Sequence, residues 1–135
     1  MSRLSSGKCM CGEVALEFQL DETNAHACHC GQCRTWSGHI WASVNAPAAS
    51  LMFNKGEAKV KWRRSSDYAR RGHCDTCGSA LFWHADHIDK YKDRIAISTG
   101  SISPDAGIAL SEHIFVADKG AYYEIGDGLP EKEKY

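Results

Sequence analysis

A chain of 135 residues, 43% hydrophobic and 24% charged, has the composition of one ordinary globular domain, long enough to bury a core without cross-links. Its formal net charge of −1 argues against general nucleic-acid or anionic-membrane binding, and metal held by thiolates would make the sum more negative still. No stretch is apolar over the length a membrane span needs, and Met1 is followed by no apolar leader, so a reducing, cytoplasmic setting is expected.

Residues 13–20 alternate cleanly, with Val14, Leu16, Phe18 and Leu20 on one face and Glu13, Glu17 and Gln19 on the other, which predicts a half-buried strand. A short helical turn is expected at Gly31–Ser37. Further strands are expected at 40–44, 58–62, 80–83, 95–98, 113–116 and 122–125, where β-branched and aromatic residues gather. Gly, Asn, Asp, Ser and Pro fill the intervals as turn formers. With no repeat and no low-complexity linker, residues 1–135 read as a single, mainly β domain. Lys59, Lys61, Arg63 and Arg64, followed by Arg70 and Arg71, form the basic cluster; Lys59, Lys61 and Arg63 alternate with Val60 and Trp62 and so line the exposed face of one strand, and some of the cluster could meet an anionic ligand or offset thiolate charge.

The chemistry lies in the cysteines. Seven is an odd number, which sits badly with a disulfide framework, and clustered thiols in a reducing compartment point to metal. Cys9-Met10-Cys11-Gly12 and Cys74-Asp75-Thr76-Cys77-Gly78 are two short pairs, each closed by a glycine that permits the sharp return of a metal knuckle. Four cysteines saturate tetrahedral zinc, so together the pairs would make a closed, structural site; the alternative is that they bind separate metals or none. Cys28, Cys30 and Cys33 fall within six residues and supply three ligands, leaving a fourth position for water, a substrate thiol or a histidine. His26, His29 and His39 are the nearby histidines, and the backbone should aim His29, lying between two ligands, away from the metal. Arg34, directly after Cys33, could meet a carboxylate of the substrate or form a plain hydrogen bond to a thiolate or carbonyl.

Three blocks carry a family likeness: Cys9-Met10-Cys11-Gly12-Glu13-Val14, Cys28-His29-Cys30-Gly31-Gln32-Cys33-Arg34, and Arg71-Gly72-His73-Cys74-Asp75-Thr76-Cys77-Gly78-Ser79. With Ser98-Thr99-Gly100-Ser101, His113-Ile114-Phe115-Val116 and Asp127-Gly128-Leu129-Pro130, they make the chain resemble the glutathione-dependent formaldehyde-activating enzymes, a group that includes centromere protein V. The resemblance implies several coiled antiparallel sheets around zinc knuckles, similar to the zinc-containing B-type methionine sulfoxide reductases. It implies two zinc ions per chain: structural zinc on Cys9, Cys11, Cys74 and Cys77, and catalytic zinc on Cys28, Cys30 and Cys33. It also implies a carbon–sulfur lyase activity that joins glutathione, or a similar thiol, to formaldehyde or another small aldehyde. The chain departs from the family pattern at His73, Leu110 and Ala121-Tyr122, none of which is a ligand position.

Three thiolates should make zinc a weak Lewis acid for generating hydroxide, so a thiol is the expected fourth ligand. A non-catalytic zinc module that carries a thiol or binds a protein is the competing reading, and turnover separates the two. Methionine sulfoxide reduction needs a free nucleophilic cysteine, and all seven cysteines are assigned to metal.

Overall fold

The protein is described at residues 3–135 by a computed structural model. In chain order come β1 (Arg3–Lys8), β2 (Ala15–Leu20), β3 (Asn24–Cys28), the helix α1 (Gly31–Ser37), β4 (Trp41–Pro47) and β5 (Met52–Lys55). β6 (Val60–Arg64), β7 (Arg70–Cys74), β8 (Ala80–His84), β9 (Arg94–Ser98) and β10 (Ala109–Ile114) follow. They form two sheets, one of order β1-β2-β5 and one of order β10-β3-β4-β9-β8-β7-β6. The ladders are antiparallel except β10 on β3, a parallel pair that places Ile114 beside Cys28. The mainly β architecture expected from the sequence is the one that forms.

Period-2 alternation makes β2 the main wall of the core. Val14, Leu16, Phe18 and Leu20 are all at most 2% exposed and pack against Val44, Leu81, Phe82 and Ile97. Each such burial is worth about 1.5–3 kcal/mol. A second, smaller cluster of Cys28, Cys33, Trp41 and Ala96 lies under Trp36, Trp83, Ile114 and Phe115. The large core thus holds the sheets together, and the small one surrounds the three-cysteine loop.

Three expected strands differ from the structure, the one at 58–62 because Ala58 and Lys59 fall in the 3-10 turn Glu57–Lys59 and the strand runs over Val60–Arg64. Residues 122–125 form no strand: the hydroxyls of Tyr122 and Tyr123 bond His39 and His29, and the segment is tied down by side chains rather than by a ladder. The strand expected at 113–116 stops at Ile114, because Phe115 turns into the left-handed region at φ 56 and a short 3-10 turn follows. Four strands, β1, β3, β5 and β7, were not expected from composition.

Candidate functional site

The two knuckles fall at the ends of hairpins in different sheets. Cys9 and Cys11 lie between β1 and β2; Cys74 ends β7, and Cys77 lies in the turn to β8. Each turn closes with a glycine in the left-handed region, Gly12 at φ 80 and Gly78 at φ 79, where any side chain would be strained. The Gly12 amide donates to the Cys9 carbonyl at 3.2 Å and the Gly78 amide to the Cys74 carbonyl at 2.8 Å, so both loops fold back in the same way. Amides also point at sulfur: Val14 N lies 3.3 Å from Cys9 Sγ and Cys77 N 3.5 Å from Cys74 Sγ. The Met10 amide donates to Ser79 Oγ at 3.0 Å and joins the two knuckles directly.

The sulfurs of Cys9, Cys11, Cys74 and Cys77 all lie within 4.8 Å of one another. Cys9 Sγ and Cys11 Sγ are 3.6 Å apart, and Cys11 Sγ and Cys74 Sγ 3.9 Å. Disulfide sulfurs bond at about 2.0 Å. Four thiolates on tetrahedral zinc, at about 2.3 Å each, stand about 3.8 Å apart, so the residues fit that group. The Ser79 hydroxyl, 3.1 Å from Cys77 Sγ, holds the Cys77 thiol down to about 5, ready to serve as a thiolate.

Cys28, Cys30 and Cys33 form the second group, again with sulfurs within 4.8 Å of one another. Cys28 ends β3 between Trp41 of β4 and Ile114 of β10, and Cys30 caps α1 by accepting from the Cys33 amide at 3.3 Å. Hydrogen bonds from Cys28 and then Cys33 hold the Cys30 thiol down to about 2, while the Cys28 thiol is pushed up by its bonds to Cys30 and Cys33. The three sulfurs therefore share charge as a set. No carboxylate or imidazole joins either group among the described residues.

The cation at this group is Arg71. It is only 5% exposed, donates to Gln32 Oε1 at 2.8 Å, lies 3.6 Å from Cys33 Sγ, and stacks over Trp36 with its guanidinium carbon 4.8 Å from the ring centroid. No carboxylate pairs with it among the described residues, so its counter-charge is the sulfur. Of the roles open to Arg34, the one formed is a carbonyl clamp, with Nε donating to His29 O at 3.0 Å and an Nη to Asp118 O at 3.1 Å. Arg71 was legible as part of the basic cluster, but its burial follows from α1, whose Gln32, Cys33 and Trp36 cover it. Lys59, Lys61 and Arg63 lie exposed, as alternation predicts.

The histidines do other work. His29, 1% exposed, points away from the sulfurs: its Nδ1 meets the Tyr123 hydroxyl at 2.7 Å and its Nε2 meets His113 Nδ1 at 2.8 Å. His113 Nε2 donates to Asp127 Oδ2 at 2.8 Å, closing a four-residue chain beneath the loop. Burial, reinforced by the charge of His113, holds His29 down to about 4, so it is neutral near pH 7. His26 bonds Glu112 and Glu22, and His39 bonds Tyr122. Tyr123 carries no signal of its own in the sequence, whereas Gln32, His113 and Asp127 lie in three of the blocks that carried the resemblance.

A cavity of about 530 Å³ opens beside this second group, lined by all three cysteines and Arg71, with Trp41 and Trp83 on one wall. That volume suits a small organic ligand. Three sulfurs at its floor, a buried cation and an apolar wall can hold a metal ion while leaving it one side open.

Residues 4–118 match the family described as glutathione-dependent formaldehyde-activating enzyme. A protein of Schizosaccharomyces pombe named as an uncharacterized lyase is 31% identical over 78 residues, or 57% of this chain. The match spans 55% of that relative's own length. A crystal structure of a Rhodobacter sphaeroides protein superposes with a TM-score of 0.62 over 78% of this chain and 97% of its own; at 20% identity it shows the shared fold. No described helix is long and apolar enough to cross a membrane.

Proposed function

Since the chain belongs to the family of glutathione-dependent formaldehyde-activating enzymes, we propose that it is a zinc-dependent carbon–sulfur lyase of that type, joining a low-molecular-weight thiol to a small aldehyde. The observation that carries this reading is the placement of the three-cysteine group on the floor of an open cavity, while the four-cysteine group spans two hairpins. Two zinc ions per chain follow: one on Cys9, Cys11, Cys74 and Cys77, closed by four ligands, and one on Cys28, Cys30 and Cys33 with a position to spare.

Zinc at the second group, when bound, lowers the pKa of an incoming thiol so that it reacts as a thiolate. The chain's residues supply the rest. Arg71 balances the negative charge that three thiolates bring into a half-buried site, and Gln32 fixes its guanidinium. Trp41 and Trp83 exclude water from one side. In the reaction the sulfur adds to the carbonyl carbon, a carbon–sulfur bond forms, the π pair moves to oxygen, and the proton lost from sulfur ends on that oxygen. Glutathione with formaldehyde, giving S-(hydroxymethyl)glutathione, is the reaction the family name suggests. Arg34 acts by holding the His29 and Asp118 carbonyls, fixing the loop that presents the cysteines.

The test is adduct formation by the zinc-loaded protein across a panel of thiols and aldehydes, with Cys33→Ser as control. Acceleration over the solution reaction that disappears in Cys33→Ser supports the reading. A protein that binds thiols yet never exceeds the solution rate is a binding module.

A further inference from the structure

We infer that the cavity beside Cys28, Cys30 and Cys33 selects a thiol with an uncharged, apolar body over one that carries carboxylates. This rests on the thiol–aldehyde reading and narrows it to a substrate class. The first observation is the apolar wall. Trp41, Trp83, Phe115, Tyr68 and Tyr135 all face the cavity, whose volume of about 530 Å³ far exceeds what a one-carbon carbonyl needs. Phe115 adds weight, because it is the one non-glycine residue in the left-handed region among the described residues, at φ 56. A bulky aromatic adopts that conformation only under constraint, and here the Phe115 amide donates to Lys134 O at 2.7 Å while its carbonyl accepts from the Asp118 amide at 3.1 Å. Backbone strain is thus held at the residue that carries an aromatic ring to the cavity.

The second observation is charge. Glu22, Glu112 and Asp118 line the same cavity with the cations Arg71 and Lys132, and Asp118 Oδ2 is paired with Lys134 Nζ at 3.6 Å. Both cations are engaged: Arg71 with Gln32 and Cys33, and Lys132 Nζ 3.2 Å from Glu112 Oε1. His26 lies between Glu112 and Glu22 at 2.8 and 3.4 Å. Glutathione, which brings two carboxylates and one ammonium, would leave at least one carboxylate in this cavity with no unengaged lining cation to meet it. An uncharged thiol bearing a ring would set its sulfur toward the cysteines and its body against Trp83 and Phe115, at no such electrostatic cost.

The experiment compares benzyl mercaptan with glutathione on the zinc-loaded full chain, with formaldehyde as the common carbonyl. The KM for benzyl mercaptan should be at least about tenfold lower, the discrimination an apolar pocket gives for a small number of carbon atoms. The double variant Glu22→Gln, Asp118→Asn should lower the KM for glutathione several-fold more than that for benzyl mercaptan. Trp83→Leu should raise the KM for benzyl mercaptan more than that for glutathione. A KM for glutathione equal to or below that of benzyl mercaptan, unmoved by the double variant, overturns the inference and leaves the enzyme reading standing. If neither thiol reacts faster than in solution, the enzyme reading fails, and titration of tryptophan fluorescence with the same two thiols decides the selectivity. Tighter binding of benzyl mercaptan upholds it, and equal or tighter binding of glutathione refutes it.

Discussion

The two cysteine groups use the same donor atom and are built in opposite ways. Cys9, Cys11, Cys74 and Cys77 join a hairpin of the three-stranded sheet to a hairpin of the seven-stranded one, across more than sixty positions of sequence. Cys28, Cys30 and Cys33 close a six-residue loop between neighbouring strands of one sheet. Loop-closure entropy grows with separation, so a metal on the first group constrains the unfolded chain far more than one on the second. Placement differs less than ligand number: Cys9 and Cys74 are buried against the main core while Cys11 is exposed, and of the four only Cys9 lines a cavity, whereas Cys28, Cys30 and Cys33 all line the same one. Under the proposed function, the same ligand chemistry serves as a clamp where it crosses sheets and as a reactive floor where it is local.

The largest expected effect breaks this pair of roles apart. Cys77→Ser should give insoluble or unfolded protein, since metal binding there is folding free energy. Cys33→Ser should stay soluble, unfold cooperatively and retain about one zinc while losing activity. Circular dichroism with elemental analysis of both variants measures this.

Arg71 sharpens the contrast, because the described bonds give the four-cysteine group no comparable buried cation. Arg71→Met should weaken zinc retention at the three-cysteine group about 10–100-fold, the usual cost of losing a partner that orients a ligand. Arg71→Lys, which keeps the charge and loses the fork, should restore part of it. Competition with a chromophoric chelator reads both, and equal retention in all three proteins would reduce Arg71 to a packing role.

A smaller effect is expected beneath the loop. Tyr123→Phe removes the hydroxyl that bonds His29 Nδ1 and accepts from the Gly120 amide, and should cost about 1–2 kcal/mol in denaturant unfolding with both zinc ions retained. Loss of the three-cysteine zinc in that variant would make the tyrosine–histidine chain part of the metal site.

The smallest is a slope. His29 titrates near 4 in the folded protein, below the ordinary histidine value of about 6.5. Between those values the unfolded chain binds a proton that the folded chain refuses, so stability falls as pH drops through that window. His29→Gln should show a shallower decline there, read by urea midpoints at each pH. An unchanged slope would place the acid sensitivity in other groups, the cysteines and the carboxylates of Asp21, Asp86, Glu112 and Asp127 that their partners hold low.

Much of this division was legible in the sequence, for physical reasons that differ by element. Cysteine spacing marked both groups because ligand geometry is local within each knuckle, and the glycines after Cys11 and Cys77 announced the positive φ their turns require. The β2 face followed from periodicity, and the helical turn expected at Gly31–Ser37 forms with those bounds, capped by Cys30. β3 was missed because Asn24–Cys28 contains no β-branched residue; it is a strand because β4 and β10 pair with it on both sides. β7 was missed because Gly72 interrupts it, yet a Cβ there would meet Trp62, Val60 and Phe82 at 3.1–3.2 Å, so the glycine makes room for the stack above. The depth of Arg71 and the Tyr123–His29–His113–Asp127 chain depend on pairings distant in sequence, which no local pattern encodes.

Stepwise chelation of the zinc-loaded protein tests the division of roles most directly, with released zinc, far-ultraviolet circular dichroism and adduct-forming rate followed together. About half the zinc should leave first and take all activity with it while the dichroism stays unchanged, and the remainder should leave only as the fold is lost. Loss of secondary structure with the first zinc released, or activity that survives it, would contradict the assignment of clamp and reactive floor.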